Sequence, residues 1–525
     1  MNKSTHSTFI VRITKWLLLL SLVIGLGVVV WVEYEMRLMK GQFTPEIETA
    51  DLNIKTGLFI IKNSQVLQPD ATAFTAAQDV LIDDGMIKQL GPQLTVPIDA
   101  TVIDGSGQYL IPGLMDGHVH LKENRNNLWL YLANGVTHVR DMGGTDYQLS
   151  VRDTDPAEVL RPDVFVSSEK VYDTPWWQVW YMNWTRSRIT MSDAGQGDDI
   201  VRDLMTRGFD GLKISNGLTA EQYRSLVSAA HQQGLLVTGH IPNSVSLDDV
   251  FELGQQEIAH VEEITKAFDR EYGLAFSDLT PQTAAEYLDY VRSRSEEVAP
   301  VIKAKGIHIT SVVWLMESLV RQKLALEEFL GTVELAFVDP HELEGWKMAR
   351  GWLPGNHSYA SSPYWLETEE RRQKIKLFWD TYVDAIHIMT RALVRHEMPF
   401  TAGTDSVVTG GVAGFSLHDE LESLVKLGMT PAQALRTATV IPGQWLKQVG
   451  KGAQSGQIRA GDPANLVLLN ANPLDDINNT RSIDAVIVHG HLLTRDQLHI
   501  ILERIKAINN NERNRDISAY LNHGH

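Results

Sequence analysis

The sequence predicts an α/β protein: a closed (β/α)8, TIM-like barrel, a small β-sandwich domain assembled from both flanks, and an N-terminal transmembrane helix. Three observations carry this. Short apolar strands alternate with helical stretches through the middle of the chain. Histidines, a lysine and an aspartate fall at the ends of those strands. An unbroken uncharged run lies near the N-terminus, from Trp16 to Val32.

That run comes first in the chain. At about 1.5 Å per residue it can just cross a hydrocarbon core, and Trp16 and Trp31 fall where aromatic belts sit. Lys3, Arg12 and Lys15 precede it, and Glu33 and Glu35 follow it. The positive-inside rule then leaves residues 1–15 as a cytoplasmic tail and puts everything after the anchor in the periplasm or another extracytoplasmic space. A cleaved signal peptide is the rival, but no small-x-small cleavage site follows the run. The reading is an uncleaved single-pass anchor, 16–32, with a polar linker over 33–56.

Next come stretches with strand texture, beginning at Leu58, Asp79 and Thr101, with Asp84-Gly85 as a hairpin turn signal. The same texture returns at Gly456–Asn470 and Ala485–His491. Residues 57–110 and 453–495 are therefore expected to form one composite β domain. Residues 111–452 would form the barrel, with a helical insertion over about 314–397, and 496–525 would be a polar tail.

Eight strands are expected in that middle segment, the number a closed barrel needs. The first is Leu110-Ile-Pro-Gly-Leu-Met-Asp-Gly-His118-Val-His120, and the others begin near Gly135, Asp163, Gly208, Leu235, Glu257, Gly306 and Met398. Thr219-Ala-Glu-Gln222 is a capping box opening a helix that ends at Gly234. An open doubly wound sheet is the alternative, but no glycine-rich phosphate turn accompanies these strands.

Composition narrows the chemistry. An apolar fraction of 43% and a charged fraction of 21% are those of a globular protein. A net charge of -18 argues against nucleic acid or anionic lipid as a partner. No cysteine is present, so disulfides and thiolate chemistry are excluded and any metal must be held by nitrogen or oxygen.

Strand side chains alternate, so His118 and His120 point the same way while Val119 points into packing. Imidazole is a common ligand for divalent cations. Lys213, His240, His260 and Asp405 also fall at the C-terminal ends of expected strands, where barrels build their sites. Singly, each has an ordinary reading: a solvated lysine, satisfied core histidines, a helix N-cap. Their recurrence at successive strand ends points to a metal site.

In this order the residues resemble the metal-dependent amidohydrolase superfamily, in its imidazolonepropionase-like and Xaa-Pro-dipeptidase-like branch. The resemblance runs from about Leu58 to Gly490. It rests on Ile-Pro-Gly-Leu-Met-Asp-Gly-His-Val-His-Leu, Gly-Val-Thr-His-Val-Arg-Asp-Met-Gly-Gly, Ala259-His-Val-Glu-Glu, Ala402-Gly-Thr-Asp, Thr430-Pro-Ala-Gln-Ala-Leu-Arg-Thr-Ala-Thr and Gly461-Asp-Pro-Ala-Asn-Leu-Val-Leu-Leu.

The resemblance implies two divalent metal ions, zinc by first expectation, bridged by a carbamate on Lys213. His118, His120 and Asp405 would hold one ion, and His240 and His260 the other. Two ions about 3.5–4 Å apart can acidify a bridging water from about 15.7 toward about 7. Asp405 is the expected catalytic residue, as general base and later proton donor. The implied reaction is hydrolysis of an amide or peptide C–N bond in an N-acyl amino acid or dipeptide-like substrate. A lactone or ester hydrolase on the same site, or a silent metal-binding module, are the alternatives.

One departure bears on specificity. Dipeptidase-like relatives commonly carry an aromatic soon after the histidine of the fifth strand, whereas Ile241-Pro242-Asn243 follows His240. Tryptophans cluster at Trp176, Trp177, Trp180 and Trp184, and the insertion carries Trp346, Trp352, Trp365 and Trp379. Aromatics on loops of the catalytic face would form a lid over a bulky apolar small molecule. Self-association into a homo-oligomer stays open.

Overall fold

The computed structural model of the protein describes residues 3–273, 275–351, 368–452 and 456–513. Its centre is a ring of eight parallel strands. They are Leu114–Val119, Val136–Asp141, Asp163–Val166, Gly211–Ile214, Leu236–Gly239, Glu257–Ala259, His308–Thr310 and Phe400–Thr401. These stretches are rich in valine, isoleucine and leucine and buried on both faces, as a covered parallel sheet requires.

Ladders join the first three strands, the fourth to the fifth, and the last three. Single bridges, Ser167–Gly211 and Val119–Ser406, link the third strand to the fourth and the eighth region back to the first. Between the fifth and sixth strands side chains serve. Val237 N–H donates to Gln256 Oε1 at 2.9 Å, and Gly239 N–H to Glu257 Oε2 at 3.3 Å.

Closure depends on two glycines. A Cβ on Gly117 would lie 2.3 Å from Thr401 Cγ2, and one on Gly403 would lie 2.5 Å from Thr310 Cγ2. No side chain fits there, so the first, seventh and eighth strands can approach only with glycine at these points. Between strands, Thr219 accepts from Gln222 N–H, and the helix it opens, Ala220–Gln233, ends on Gly234 at φ 75°.

The flanks form one β domain, but not as two separate sheets. Its nine strands form one hydrogen-bonded sheet, eight along a single path and Thr101–Asp104 branching from Phe59–Leu67, with three C-terminal strands set between Lys55–Thr56 and the other N-terminal strands. Leu466–Leu469 lies antiparallel to Tyr109–Pro112 on one side and to Ile483–Val488 on the other. The sheet has its own core, including Phe59, Val80, Ile82, Leu466 and Ile487. Asp84 and Gly85, at φ 52° and 70°, make the tight turn between Phe74–Asp83 and Met86–Gly91.

Three stretches differ from expectation. The N-terminal helix is continuous from Lys3 to Met39, so it outruns the uncharged run, and protein does not cover its apolar segment. The following residues are not a free linker. Ile47 and Leu52 are buried, and Lys55–Thr56 pairs with His491–Leu492. The stretch expected as a polar tail is a helix, Arg495–Arg513. Leu498, Ile501 and Ile505 recur at helical spacing and are buried, which docks the helix among many charges. Residues 514–525 lie outside the described residues.

The tryptophans also separate. Trp379 is fully enclosed within the helix Glu369–Arg395, and Trp346 is buried in a satellite core with Phe329 and Leu343, so both are packing residues and not a lid. Trp352 and Trp365 lie outside the described residues.

Candidate metal centre

The first strand ends at Val119, which leaves His118 inside the barrel and His120 just beyond it, half-exposed. Lys213 is the penultimate residue of the fourth strand. His240 and His260 directly follow the fifth and sixth. Asp405 follows the eighth, and its N–H donates to the His118 carbonyl at 2.8 Å. All these side chains except His120 are buried.

They meet. His118 Nε2 lies 3.4 Å from His260 Nε2, 3.5 Å from Lys213 Nζ and 3.4 Å from Asp405 Oδ1. His120 Nε2 lies 3.0 Å from the same oxygen, and His260 Nε2 is 3.9 Å from Asp405 Oδ2. Ligands sharing one tetrahedral ion at about 2.1 Å would stand roughly 3.4 Å apart, so these spacings suit a cation. Two groups can each converge on a point: His118 with His260 and Asp405, and His240 with His260 and Glu263.

The donor set also fits a metal by what it lacks. Both ring nitrogens of His240 and the Nδ1 atom of His118 are buried without hydrogen-bond partners. Buried polar atoms are ordinarily satisfied, so such a concentration calls for a ligand. His260 and Asp405 also hold left-handed backbone, at φ 79° and 56°, which costs non-glycine residues about 1–3 kcal/mol. Such strain gathers where side chains must be aimed.

The electrostatics run the same way. Burial, with the Lys213 charge second, pushes His118 well below the usual imidazole range; burial, then Lys170, does so for His240. Both are therefore neutral and ready to ligate. Burial, reinforced by Lys170, brings Lys213 down to about 7. Among the described residues no carboxylate lies within ion-pair distance of its amine. Burial opposes ionisation of Asp405, yet the hydrogen bond and charge of His120 and the charge of His260 hold it at about 2.

Sequence reasoning did not single out the residues behind this ring. Glu263 accepts from Ile241 N–H at 3.0 Å, is paired with Lys266, and stands 3.9 Å from His240 Nδ1. Its signal was the acidic pair that directly follows His260-Val261. Asp116 accepts from His118 N–H and from the Thr404 hydroxyl, at 3.2 and 2.7 Å, which ties the first strand to the segment carrying Asp405. A separate cleft of about 830 Å³ opens between Asp116, Arg140 and the β domain, and none of His118, His120, His240 and His260 lines it.

A model of the amidohydrolase family matches residues 109–493. The chain belongs to the amidohydrolase family. Among curated relatives, a dihydroorotase of Mycobacterium tuberculosis is 56% identical over 45 residues, which is 9% of this chain and 10% of that protein's length. A dihydroorotase of Trichlorobacter lovleyi is 38% identical over 64 residues, covering 12% of this chain and 15% of its own. The chain thus aligns with only a small part of the length of these relatives. Solved structures are similar over far more. Bottromycin amidohydrolase superposes with a TM-score of 0.65 at 21% identity, covering 90% of this chain and 96% of that one. An A. niger ochratoxinase gives 0.59 at 17%, covering 84% and 96%. A Xaa-Pro dipeptidase gives 0.56 at 18%, covering 83% and 100%. At these identities they establish the amidohydrolase fold.

Proposed function

We propose that this amidohydrolase is a metal-dependent hydrolase of amide or peptide C–N bonds, working on an N-acyl amino acid or dipeptide-like substrate. The observation that carries the reading is the convergence of His118, His120, Lys213, His240, His260 and Asp405 around buried atoms that lack protein partners. Two divalent ions, zinc by first expectation, would be held by these residues. When bound they would polarise a carbonyl and make water acidic at neutral pH.

The chain's own groups supply the rest. Lys213, fully buried, can add carbon dioxide: a new N–C bond forms, one proton leaves the nitrogen, and an anionic oxygen donor results. Asp405 stays ionised and is held by His120, so it can take a proton from attacking water and return it to the leaving nitrogen. Ile241-Pro242-Asn243 follows His240 where dipeptidase-like relatives commonly carry an aromatic, which speaks against a strict dipeptidase.

The N-terminal helix would anchor the enzyme with its short tail in the cytoplasm and its barrel outside. A reporter fused after His525 should then be active outside the cytoplasm and stay with membranes in high salt. For the chemistry, elemental analysis of the purified full chain should find about two divalent ions, as a two-metal site requires. A screen of N-acyl amino acids and dipeptides should find turnover that a chelator abolishes. Full metal loading with no turnover of any C–N substrate would overturn the hydrolase reading, and absence of bound metal would overturn the metal centre.

A further inference from the structure

The N-terminal helix meets the barrel at the same end as the metal centre. The Lys40 carbonyl accepts from Glu123 N–H at 2.8 Å, and the Gln42 side chain donates to the Glu123 carboxylate at 2.6 Å. Gly41 leaves no room for a side chain: a Cβ there would lie 2.6 Å from Asn124 Cβ. Glu123 and Asn124 follow His120 within four residues, so the exit of the helix and the end of the first strand are one structure.

Beside that exit lies the tryptophan segment that the proposed mechanism leaves unused. It follows the third strand, and its helix, Val179–Arg186, turns Trp184 toward the N-terminal helix. The Trp184 indole donates to the Glu33 carboxylate at 2.9 Å, one residue beyond the uncharged run, and Trp180 stacks on Trp184 at 5.0 Å. Trp176, Trp177 and Trp180 are 83%, 65% and 66% exposed. Tryptophan is highly buried on average, so three exposed within five residues form a patch that marks an interaction site. Phe43, stacked on Tyr34 at 5.7 Å, is exposed at the same helix end.

We infer that Trp176, Trp177, Trp180 and Tyr181 are an interfacial anchor that holds the catalytic mouth against the bilayer crossed by the N-terminal helix, and that the substrate is an amphiphilic amide whose apolar part remains in that bilayer. The occupant is fixed by the Trp184–Glu33 contact, which puts the patch at the level where the apolar run gives way to charge. Tryptophan favours this level because its ring is apolar and its N–H is polar. The helix is already fastened to the barrel through Lys40, Gln42 and Glu33, and a second lipid contact at the patch adds to that the face which looks at the membrane. This rests on reading the helix as membrane-spanning and, for the substrate, on the amide hydrolase reading.

The absence of cysteine supplies the experiment, since one introduced thiol carries one environment-sensitive dye. In the full chain in phosphatidylcholine vesicles, dyes would be placed singly at Trp177→Cys, at Leu22→Cys within the apolar run, and at Ile98→Cys, an exposed site on the β domain. Lipids bearing quenchers near the headgroup should quench the Trp177 site, deep quenchers the Leu22 site, and neither the Ile98 site. A quenched Leu22 site with an unquenched Trp177 site would overturn the anchor while sparing the helix; an unquenched Leu22 site would remove both. The triple variant Trp176→Ser/Trp177→Ser/Trp180→Ser should lose about tenfold or more of its turnover of N-dodecanoyl amino acids in vesicles and keep its rate on N-acetyl amino acids. Equal effects on both would overturn the amphiphilic substrate. Turnover of neither by the intact chain would sink the hydrolase reading, and the quenching result would then decide the anchor alone.

Discussion

His118 and His260 stand 142 residues apart in sequence, and their Nε2 atoms lie 3.4 Å from each other. Two imidazole nitrogens that close, flanked by Lys213 and the Asp405 carboxylate, have gathered around a common point. The barrel brings this about by giving each residue a different strand end. The predictions that follow test what each neighbour contributes.

Asp405→Asn keeps the shape of the side chain and removes its base. Turnover should fall by about 10²–10⁴-fold while the fold persists, the usual range for positioned acid–base catalysis. Circular dichroism and metal content measured beside the rate make the test specific. Near-normal turnover with metal still bound would remove the assigned role.

Lys213, brought to about 7 by burial and Lys170, is protonated below that pH and a free amine above it. Only the free amine adds carbon dioxide. Metal uptake by the stripped protein should therefore quicken as pH rises from about 6 to 8, and quicken further with bicarbonate. Lys213→Ala should take up less metal and ignore bicarbonate. Uptake indifferent to bicarbonate in the unaltered chain would argue for direct binding without the carbamate.

Trp379 and Trp177 should respond oppositely to truncation. Trp379→Ala opens a cavity in a sealed core and should cost about 3–5 kcal/mol. Trp177→Ala removes a largely exposed ring and should shift the detergent-solubilised protein by about 0.5 kcal/mol or less. Denaturant midpoints for the two variants give the comparison.

Ile501 faces inward from the last described helix. Ile501→Ala should destabilise by about 2–5 kcal/mol, as for a packed aliphatic residue. No change in the unfolding midpoint would mean that the helix is not part of the folded core in solution.

The barrel was legible because its signals are local. His118-Val119-His120 declares a strand with both rings on one face, and Thr219 with Gln222 declares a helix start. The single sheet of the β domain was not legible, because its continuity depends on Leu466–Leu469 pairing with Tyr109–Pro112, and register between distant segments leaves no local mark. Glu263 escaped notice because a buried acid reads like a surface one until Lys266 and Ile241 are seen around it. The helix after Thr494 was hidden by composition: Leu498, Ile501 and Ile505 are few among charges, yet their spacing of three and four was there to read. In Glu369–Arg395 the same spacing runs through Ile375, Phe378, Trp379 and Tyr382, which marks Trp379 as a core residue.

The interleaving of both chain ends in one sheet sets an order of events during synthesis. The strands up to Pro112 emerge first, but their central partner, Leu466–Leu469, lies roughly 350 residues later, a wait of roughly 20–70 s at about 5–20 residues per second. Through that interval Tyr109–Pro112 has an open edge that could pair with any passing strand. The β domain is therefore completed only after Leu466–Leu469 has emerged. A nascent chain stalled before Leu466 should be a client for chaperones on whichever side of the membrane it then stands.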